Sequence, residues 1–393
     1  LKEFVLVAGC NGYIGNALVQ KLLFEGYKVV GIDNNIKYKW ANKVTSQSII
    51  PILSIRDKSS KFKKIGKFNY VNIDIAKEPH ELKELLSKYQ FDIIVNLAQQ
   101  PSAPYSHLSL ETATETMNNN INGTLNMLWL LSDMSPHIHY IEIESMGTMS
   151  PDIGIPILEG YFYPESISYE KYDTEDGLVL KNIGNKSLFP KRPGSIYHAS
   201  KTANTYLVDC ANRWWNLKIT AINQGVVYGN GTKEIQETEI HSPLWVDEFF
   251  GTVVNRFIAQ ALLNIPLTIY GKGLQKRGFI GLNDSIQAIM LLIKNPPKAN
   301  GVRFVNQLDE VFSIKQIADL ISDNQSFIDT PRIENTDDFY YNPITDILKN
   351  LGFEKSTNIL TEIEFALQHI DKNLLEKMAS HFAPTIKWKK GLH

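Results

Sequence analysis

The run Phe4-Val-Leu-Val-Ala8 passes directly into Gly9-Cys10-Asn11-Gly12-Tyr13-Ile14-Gly15, and from there into apolar positions at Leu18, Leu22 and Leu23. A short apolar run bounded by glycines reads as a buried strand, and apolar residues three and four apart read as one face of a helix. The chain therefore opens on strand, tight turn and helix. Glycines in that turn let the backbone approach a pyrophosphate, whose charge then lies at the helix N-terminus. A second run, Lys28-Val-Val-Gly-Ile32, ends in Asp33, 18 residues beyond Gly15. An acid there accepts hydrogen bonds from adenosine ribose hydroxyls and repels a 2′-phosphate. The expectation is NAD rather than NADP, cradled by Gly9, Gly12, Tyr13, Ile14, Gly15, Asp33 and Asn34. Cys10 reads as a small buried residue beside the phosphates rather than a reactive thiol. The bland alternative is a glycine turn followed by a chance acid.

The alternation continues. Residues 37–67, rich in Lys and Ser, are too many for a simple connection and read as an ordered insertion near cofactor or substrate. A third strand, Asn69-Tyr-Val-Asn-Ile73, leads to Asp74 and Ile75, which suit an adenine amine and ring face; a polar strand end is the plain alternative for Asp74. Helical spacing at Leu82, Leu85, Leu86 and Tyr89 precedes a fourth strand at 92–97, a long helix from about 111 to 131 with Asn119 near its middle, and a fifth strand at 139–143. The turn-rich stretch 98–106 lies at the carboxyl end of a strand, where open α/β sheets bind ligands. Such alternation specifies an α/β fold, a Rossmann doubly wound parallel sheet with right-handed crossovers. The expected division is an NAD-binding domain over 1–223, with insertions at about 37–67 and 151–193, and a smaller C-terminal α/β domain, mainly 224–393, with the chain crossing between them. Helices are expected there at 249–263, 284–294 and 313–321, the last capped by Ser313. The proline-punctuated stretch 151–193 reads as loops over the site.

Chemistry centres on Tyr197-His198-Ala199-Ser200-Lys201, which holds the single Tyr-x-x-x-Lys pair in the chain. On a helix the phenol and the ammonium share a face. An ammonium about 5 Å from the phenol at an effective dielectric near 20 lowers its pKa by about two units. Such a tyrosine takes or returns an alcohol proton near neutral pH. A surface helix with a chance Tyr and Lys is the plain alternative. Farther on, Gln275, Arg277, Arg332, Tyr340 and Tyr341 suit a diphosphate and a flat base, although a lone arginine is more often half of a surface ion pair.

Composition narrows the partners. At 393 residues the chain points to about two domains. A net charge of −2 suggests neither nucleic acid nor an acidic membrane surface as partner. Two cysteines, Cys10 and Cys210, with no metal-ligand spacing, exclude a disulfide framework and a zinc site and fit a reducing, cytoplasmic compartment. No run of 18 apolar residues and no targeting segment is evident.

Several longer stretches are more specific than the glycine motif: Gln100-Pro-Ser-Ala-Pro-Tyr-Ser106, Asn119-Asn-Ile-Asn-Gly-Thr-Leu-Asn126, Asn223-Gln-Gly-Val-Val-Tyr-Gly229, Phe250-Gly-Thr-Val-Val-Asn-Arg-Phe257, Leu267-Thr-Ile-Tyr-Gly-Lys-Gly273 and Trp388-Lys-Lys390. With Ser145 and the Tyr/Lys pair, they make the chain resemble the extended short-chain dehydrogenase/reductases acting on nucleotide sugars. It is most similar to their UDP-sulfoquinovose synthase family, in particular the archaeal type, and the likeness covers nearly the whole chain.

This resemblance implies that UDP-glucose and sulfite become UDP-sulfoquinovose on a tightly held NAD. It implies catalytic roles for Ser145, Tyr197, Lys201, His198 and Met146. Cofactor contacts would extend to Asp74, Ile75, Asn119, Tyr197, Lys201, Gln224 and Val227. Substrate contacts would come from Ser145, Gln224, Asn255, Arg256, Thr268, Tyr270, Gln275, Arg277, Arg332 and Tyr340. A homo-oligomer, dimer or tetramer, is expected, with no metal. Ordinary sugar 4,6-dehydratases carry an Asp-Glu pair where this chain has Met146-Gly147; His198 is the candidate for proton movement or sulfite binding, with a structural histidine as its alternative. Pro101 stands where the plant pattern has Arg, a contact that Lys37 or Arg332 would have to supply. Ser145 replaces Thr, and Thr148 and Met149 replace a Glu-Tyr pair. Two other readings stay open: a UDP-glucose 4-epimerase or 4,6-dehydratase, and a silent NAD-binding regulatory protein, which would be expected to lose Ser145, Tyr197 or Lys201.

Overall fold

The computed structural model describes residues 3–134, 137–149, 156–161, 169–174, 177–182, 191, 193–297, 301–328 and 341–382. Strand β1 (Phe4–Ala8) is apolar throughout because both its faces are covered: Val5 and Val7 point into one hydrophobic layer, Leu6 and Ala8 into the other. Helix α1 (Tyr13–Phe24) packs Leu18 and Leu22 into the first layer, both fully buried. Burial of that kind stabilises by about 1.5–3 kcal/mol per side chain. β2 (Lys28–Ile32) pairs with β1 on one side, and β3 (Phe68–Val71) extends the sheet. Between β2 and β3 the insertion is ordered as α2 (Ile36–Lys43) and α3 (Ile55–Ile65), the latter started by the Ser54 hydroxyl accepting from Asp57 N–H at 3.1 Å. Helix α4 (Pro79–Lys88) leads to β4 (Ile93–Asn96), which pairs with the other side of β1.

The long helix expected after β4 is a single helical path with an interruption. α5 (Leu110–Met117) opens on a Ser109/Thr112 capping box. A π turn over Asn118–Asn122 then joins it to α6 (Gly123–Ser132). π turns inside helices cluster at functional sites; this one aims Asn120 at the Gln100 N–H (2.7 Å) and the Ser200 hydroxyl (2.9 Å). β5 (His139–Ser145) follows. The stretch expected as loops over the site lies largely outside the described residues, but contains an antiparallel hairpin of β6 (Tyr169–Thr174) and β7 (Gly177–Asn182). α7 (Ile196–Trp215) ends where Asn216 turns left-handed at φ 53°. β8 (Lys218–Gln224) lies beside β5.

The chain then leaves the large sheet and returns to it. β9 (Val226–Tyr228), β10 (Leu267–Tyr270) and β11 (Lys276–Gly281), with α8 (Lys233–Thr238) and α9 (Val253–Leu262), form a second unit. Helix α10 (Leu282–Lys294) then packs Ile286 and Ile289 into the same layer as α1, and β12 (Arg303–Gln307) pairs in parallel with β8. β13 (Glu310–Ser313) pairs with β11, α11 (Ile314–Ile321) starts on a Ser313/Gln316 capping box, and β14 (Gln325–Ile328) joins β10. The large sheet is thus seven parallel strands in the order β12-β8-β5-β4-β1-β2-β3. The order reverses between β1 and β4, opening a crevice at their carboxyl ends. No helix among the described residues is long and apolar enough to cross a membrane.

Candidate active site

A cavity of about 610 Å³ opens at that crevice. Its first wall is the glycine turn, with Gly9, Gly12, Tyr13, Ile14 and Gly15. Gly9 has φ +82°, and a β-carbon there would lie 2.7 Å from the Leu97 carbonyl carbon. A β-carbon on Gly15 would run into the Gly9 backbone. The cradle is therefore closed to any side chain, and no side chain caps the N-terminus of α1, which leaves its first N–H groups for an anion. These features fit a dinucleotide pyrophosphate.

Asp33 ends β2 beside the turn, its carboxylate accepting from the N–H groups of Asn11 (2.9 Å) and Asn35 (2.8 Å). Burial raises its pKa, opposed by those two donors and by Lys58 and Lys37. The inserted helix α3 contributes Lys58, fully buried, whose ammonium donates to Asn11 Oδ1 at 2.7 Å. Cys10 is buried against Gly31, and burial pushes its thiol well up, so it packs rather than reacts. Asp33, Asn34, Asp74, Ile75 and Asn119 lie outside the cavity lining. Asn34 accepts from Ile36 N–H (3.0 Å), Asp74 closes a turn by accepting from Ala76 N–H (3.0 Å), Ile75 is buried against Gly123, and Asn119 donates to Asn120 Oδ1 (3.1 Å).

The opposite wall joins the end of β5 to the start of α7. Ser195 starts α7 by accepting from His198 N–H at 3.0 Å. Ser145, Met146, Tyr197, His198 and Lys201 all line the cavity. The electrostatics differ from the expected depressed phenol: burial raises Tyr197, the Ser145 hydroxyl pulls the other way, and Glu144 adds to the rise. The reason is where Lys201 points. Its ammonium donates to the Ile143 carbonyl at 2.6 Å and faces Glu142 and Glu144. Both acids sit on the buried face of β5 that meets α7. Glu142 accepts from Asn96 (2.9 Å), Thr124 (3.1 Å) and Asn204 (3.3 Å), whereas the buried carboxyl of Glu144 has no partner at full hydrogen-bond geometry among the described residues and only the Thr205 hydroxyl nearby. Residue-level reading missed this pair, although two acids alternating on a core strand demand a buried counter-charge.

His198 stands directly over Gly147: a β-carbon at 147 would lie 2.7 Å from its Cδ2 and collide with Nε2. Its Nδ1 is held by the Ser195 hydroxyl at 2.9 Å. Gln224 at the end of β8 and, from the second unit, Val227, Asn255, Arg256, Thr268, Tyr270, Gln275 and Arg277 close the cavity. Gln224 is tied to Gln307 (2.8 Å), Asn255 accepts from Gly229 N–H (2.9 Å), and Arg256 lies over the Phe257 ring. Tyr341, partly buried, its hydroxyl shielded from solvent and pushed up to about 12 by that desolvation, lines the cavity near Arg277; Arg332 and Tyr340 lie outside the described residues, as does Trp388-Lys-Lys390. Lys37, Trp245 and Phe250 complete the lining near Pro101.

A Tyr-x-x-x-Lys helix facing a glycine turn across the crevice of a parallel sheet is the layout of a short-chain dehydrogenase/reductase. Residues 5–166 and 180–306 match the model of the NAD dependent epimerase/dehydratase family, and the chain belongs to that family. NAD is thus the cofactor that the glycine cradle accommodates. The chain is 33% identical to the UDP-sulfoquinovose synthase of Sulfolobus acidocaldarius, over 98% of both chains. It is 29% identical to the chloroplastic UDP-sulfoquinovose synthase of Spinacia oleracea, covering 99% of this chain and 80% of that one. Among solved structures it shares its fold with the UDP-glucuronic acid 4-epimerase of Bacillus cereus, at TM-score 0.62 and 18% identity over 95% of this chain and 99% of that one. The UDP-glucose 4-epimerase of Thermotoga maritima has TM-score 0.63 and 18% identity over 94% and 99%.

Proposed function

We propose that the chain converts UDP-glucose and sulfite to UDP-sulfoquinovose. The observation that carries this reading is the pairing of a bare Gly147 with the His198 imidazole over it, where ordinary sugar dehydratases would have an acidic pair. The end-to-end similarity to two synthases supports it.

In this reading Tyr197 takes the proton of the sugar 4-hydroxyl once its phenol is ionised, a state that the positive charge of bound NAD would favour against the burial that raises it, and the Ser145 hydroxyl orients the same oxygen. Lys201, anchored on the Ile143 carbonyl, keeps positive charge behind the phenol. NAD held at the glycine turn would supply reversible hydride chemistry at C4, so that none would be consumed. With C4 oxidised, the C5 proton becomes acidic, and the C5 proton and C6 hydroxyl leave as water. The sulfur of sulfite then bonds to C6 while C5 regains a proton, which His198 is placed to handle. Arg256 and Arg277 meet the nucleotide diphosphate, and the second unit serves as the lid of the sugar-nucleotide pocket.

The test is product analysis by mass spectrometry with UDP-glucose, with and without sulfite. A C6-sulfonate formed only with sulfite, and no net loss of NAD, is the expected result. UDP-galactose, or a released 4-keto-6-deoxy sugar indifferent to sulfite, would replace this reading with the epimerase or dehydratase one.

A further inference from the structure

A buried lysine stands behind the glycine turn, outside the cavity lining. Lys58 is fully buried on α3, with Phe62 one turn farther along the same helix face. Phe62 packs edge-on against Phe68 of β3 at 4.9 Å and belongs to the layer that holds Leu18 and Leu22 of α1. The inserted helix is thereby fastened to the sheet at a point that carries the Lys58 ammonium to the turn. Burial pulls the pKa of Lys58 down to about 8, and a charge so placed has to be hydrogen-bonded or paired.

Its partner is Asn11, the polar side chain of the turn Gly9-Cys10-Asn11-Gly12. Lys58 Nζ donates to Asn11 Oδ1 at 2.7 Å, Asn11 Nδ2 donates to Asn35 Oδ1 at 2.6 Å, and the N–H groups of Asn11 and Asn35 donate to the two carboxylate oxygens of Asp33. Asn35 is left-handed at φ 56°, and its amide donates to the Tyr70 hydroxyl (3.1 Å), which donates to the Asp33 carbonyl (2.7 Å). Asp33 is therefore fixed through Asn11 and Asn35, and Lys58 is the far end of that network. Two effects follow. The Asn11 side chain is held from both ends, so that a glycine turn, with its large backbone freedom to lose, is presented in one conformation. The ammonium also faces the Asp33 carboxylate and opposes the burial that raises it. Lys37 is a second cation facing Asp33; the Tyr38 and Tyr70 phenols and the Cys10 thiol face it too, all three pushed up and neutral near pH 7.

We propose that Lys58 is a positioning residue for the cofactor, acting through Asn11 to hold the glycine turn and the Asp33 carboxylate in the arrangement that accepts an adenosine ribose. This rests on the reading in which Asp33 meets the ribose hydroxyls. It makes the insertion between β2 and β3 part of the cofactor site, although no residue of α3 lines the cavity.

The experiment compares the native chain with K58M and K58R. Bound nucleotide is measured by heat release, NAD affinity by isothermal titration from about pH 5 to pH 7.5, and the melting temperature of each protein alongside. Loss of a hydrogen bond from a charged donor corresponds to about ten- to hundredfold in binding. K58M should lose NAD affinity by about that factor at neutral pH. Its deficit should widen as the pH falls, because Asp33 without the nearby cation takes up its proton at a higher pH. Saturating NAD should restore NADH formation in a single turnover with UDP-glucose, and K58R should recover most of the affinity and the native pH dependence. If K58M does not fold, K58Q takes its place in the same comparison. A lower melting temperature with NAD affinity and its pH dependence unchanged overturns the proposal and leaves Lys58 a part of the fold alone. Loss of single-turnover chemistry that saturating NAD does not restore overturns it as well. Failure of the Asp33 reading shows separately, as native and D33N proteins with the same preference between NAD and NADP.

Discussion

His198 and Gly147 occupy one space: the imidazole packs so closely over the glycine that any β-carbon there would strike the ring. Their separation of 51 positions in the chain hides a coupling that only the β5–α7 junction creates. The ring is fixed from its other side by the Ser195 hydroxyl, so a side chain at 147 has to push it out of register.

G147A should therefore act through His198. We expect G147A and H198A each to lower sulfonate formation by about 10²–10⁴-fold, the usual range for a general acid–base group, and the double variant to be little worse than either single one. NADH formation in a single turnover should fall less than sulfonate formation in H198A. Additive losses in the double-mutant cycle would show that the two positions act independently.

Tyr197 is raised by burial rather than depressed by Lys201, yet it is the phenol facing the cavity beside Ser145. Y197F should abolish NADH absorbance on mixing with UDP-glucose while isothermal titration still reports nucleotide-sugar binding near the native affinity. Loss of binding with normal turnover of whatever does bind would assign the phenol to positioning instead.

Asp33 ends β2 with its carboxylate fixed by two backbone N–H groups, so it cannot swing away from a 2′-phosphate without losing both. The purified protein should release NAD on heating, and titration with NADP should show much weaker binding. D33N should narrow that preference. Release of NADP as the main nucleotide would contradict the role given to this side chain.

Glu144 gives a pH dependence whose sign is fixed. Burial pushes its carboxyl from 4.5 up to about 8, with Lys201 and Lys191 opposing and Glu142 reinforcing. Between those values the folded protein keeps a proton that the unfolded chain has lost, so ionisation progressively destabilises the fold as pH rises through the window. E144Q has no proton to lose. Its melting temperature relative to the native protein should therefore climb from about pH 5 to pH 8 and level off above. A difference that is flat across this range would mean that Glu144 is ionised throughout.

The local chemistry of the sequence was enough for the α/β class, the glycine turn at the carboxyl end of β1, the parallel strands and the helix that presents Tyr197 and Lys201. Each of these depends on spacings of two to four residues, which backbone geometry converts directly into faces and turns. What lies around the pair was decided elsewhere. Lys201 faces Glu142 and Glu144 because α7 crosses β5 at one register; Lys58 reaches Asn11 of the glycine turn and Lys37 the cavity because an insertion folds back over that turn; His198 meets Gly147 because the start of α7 packs on the turn after β5; and β12 returns to the large sheet after the second unit is complete. The π turn that aims Asn120 at Gln100 and Ser200 likewise has no signature in a helical apolar pattern. These relations join residues tens to hundreds of positions apart, and no local propensity encodes such distances. They are fixed by how the layers pack, and the buried charges that packing brings together set the proton affinities in the site.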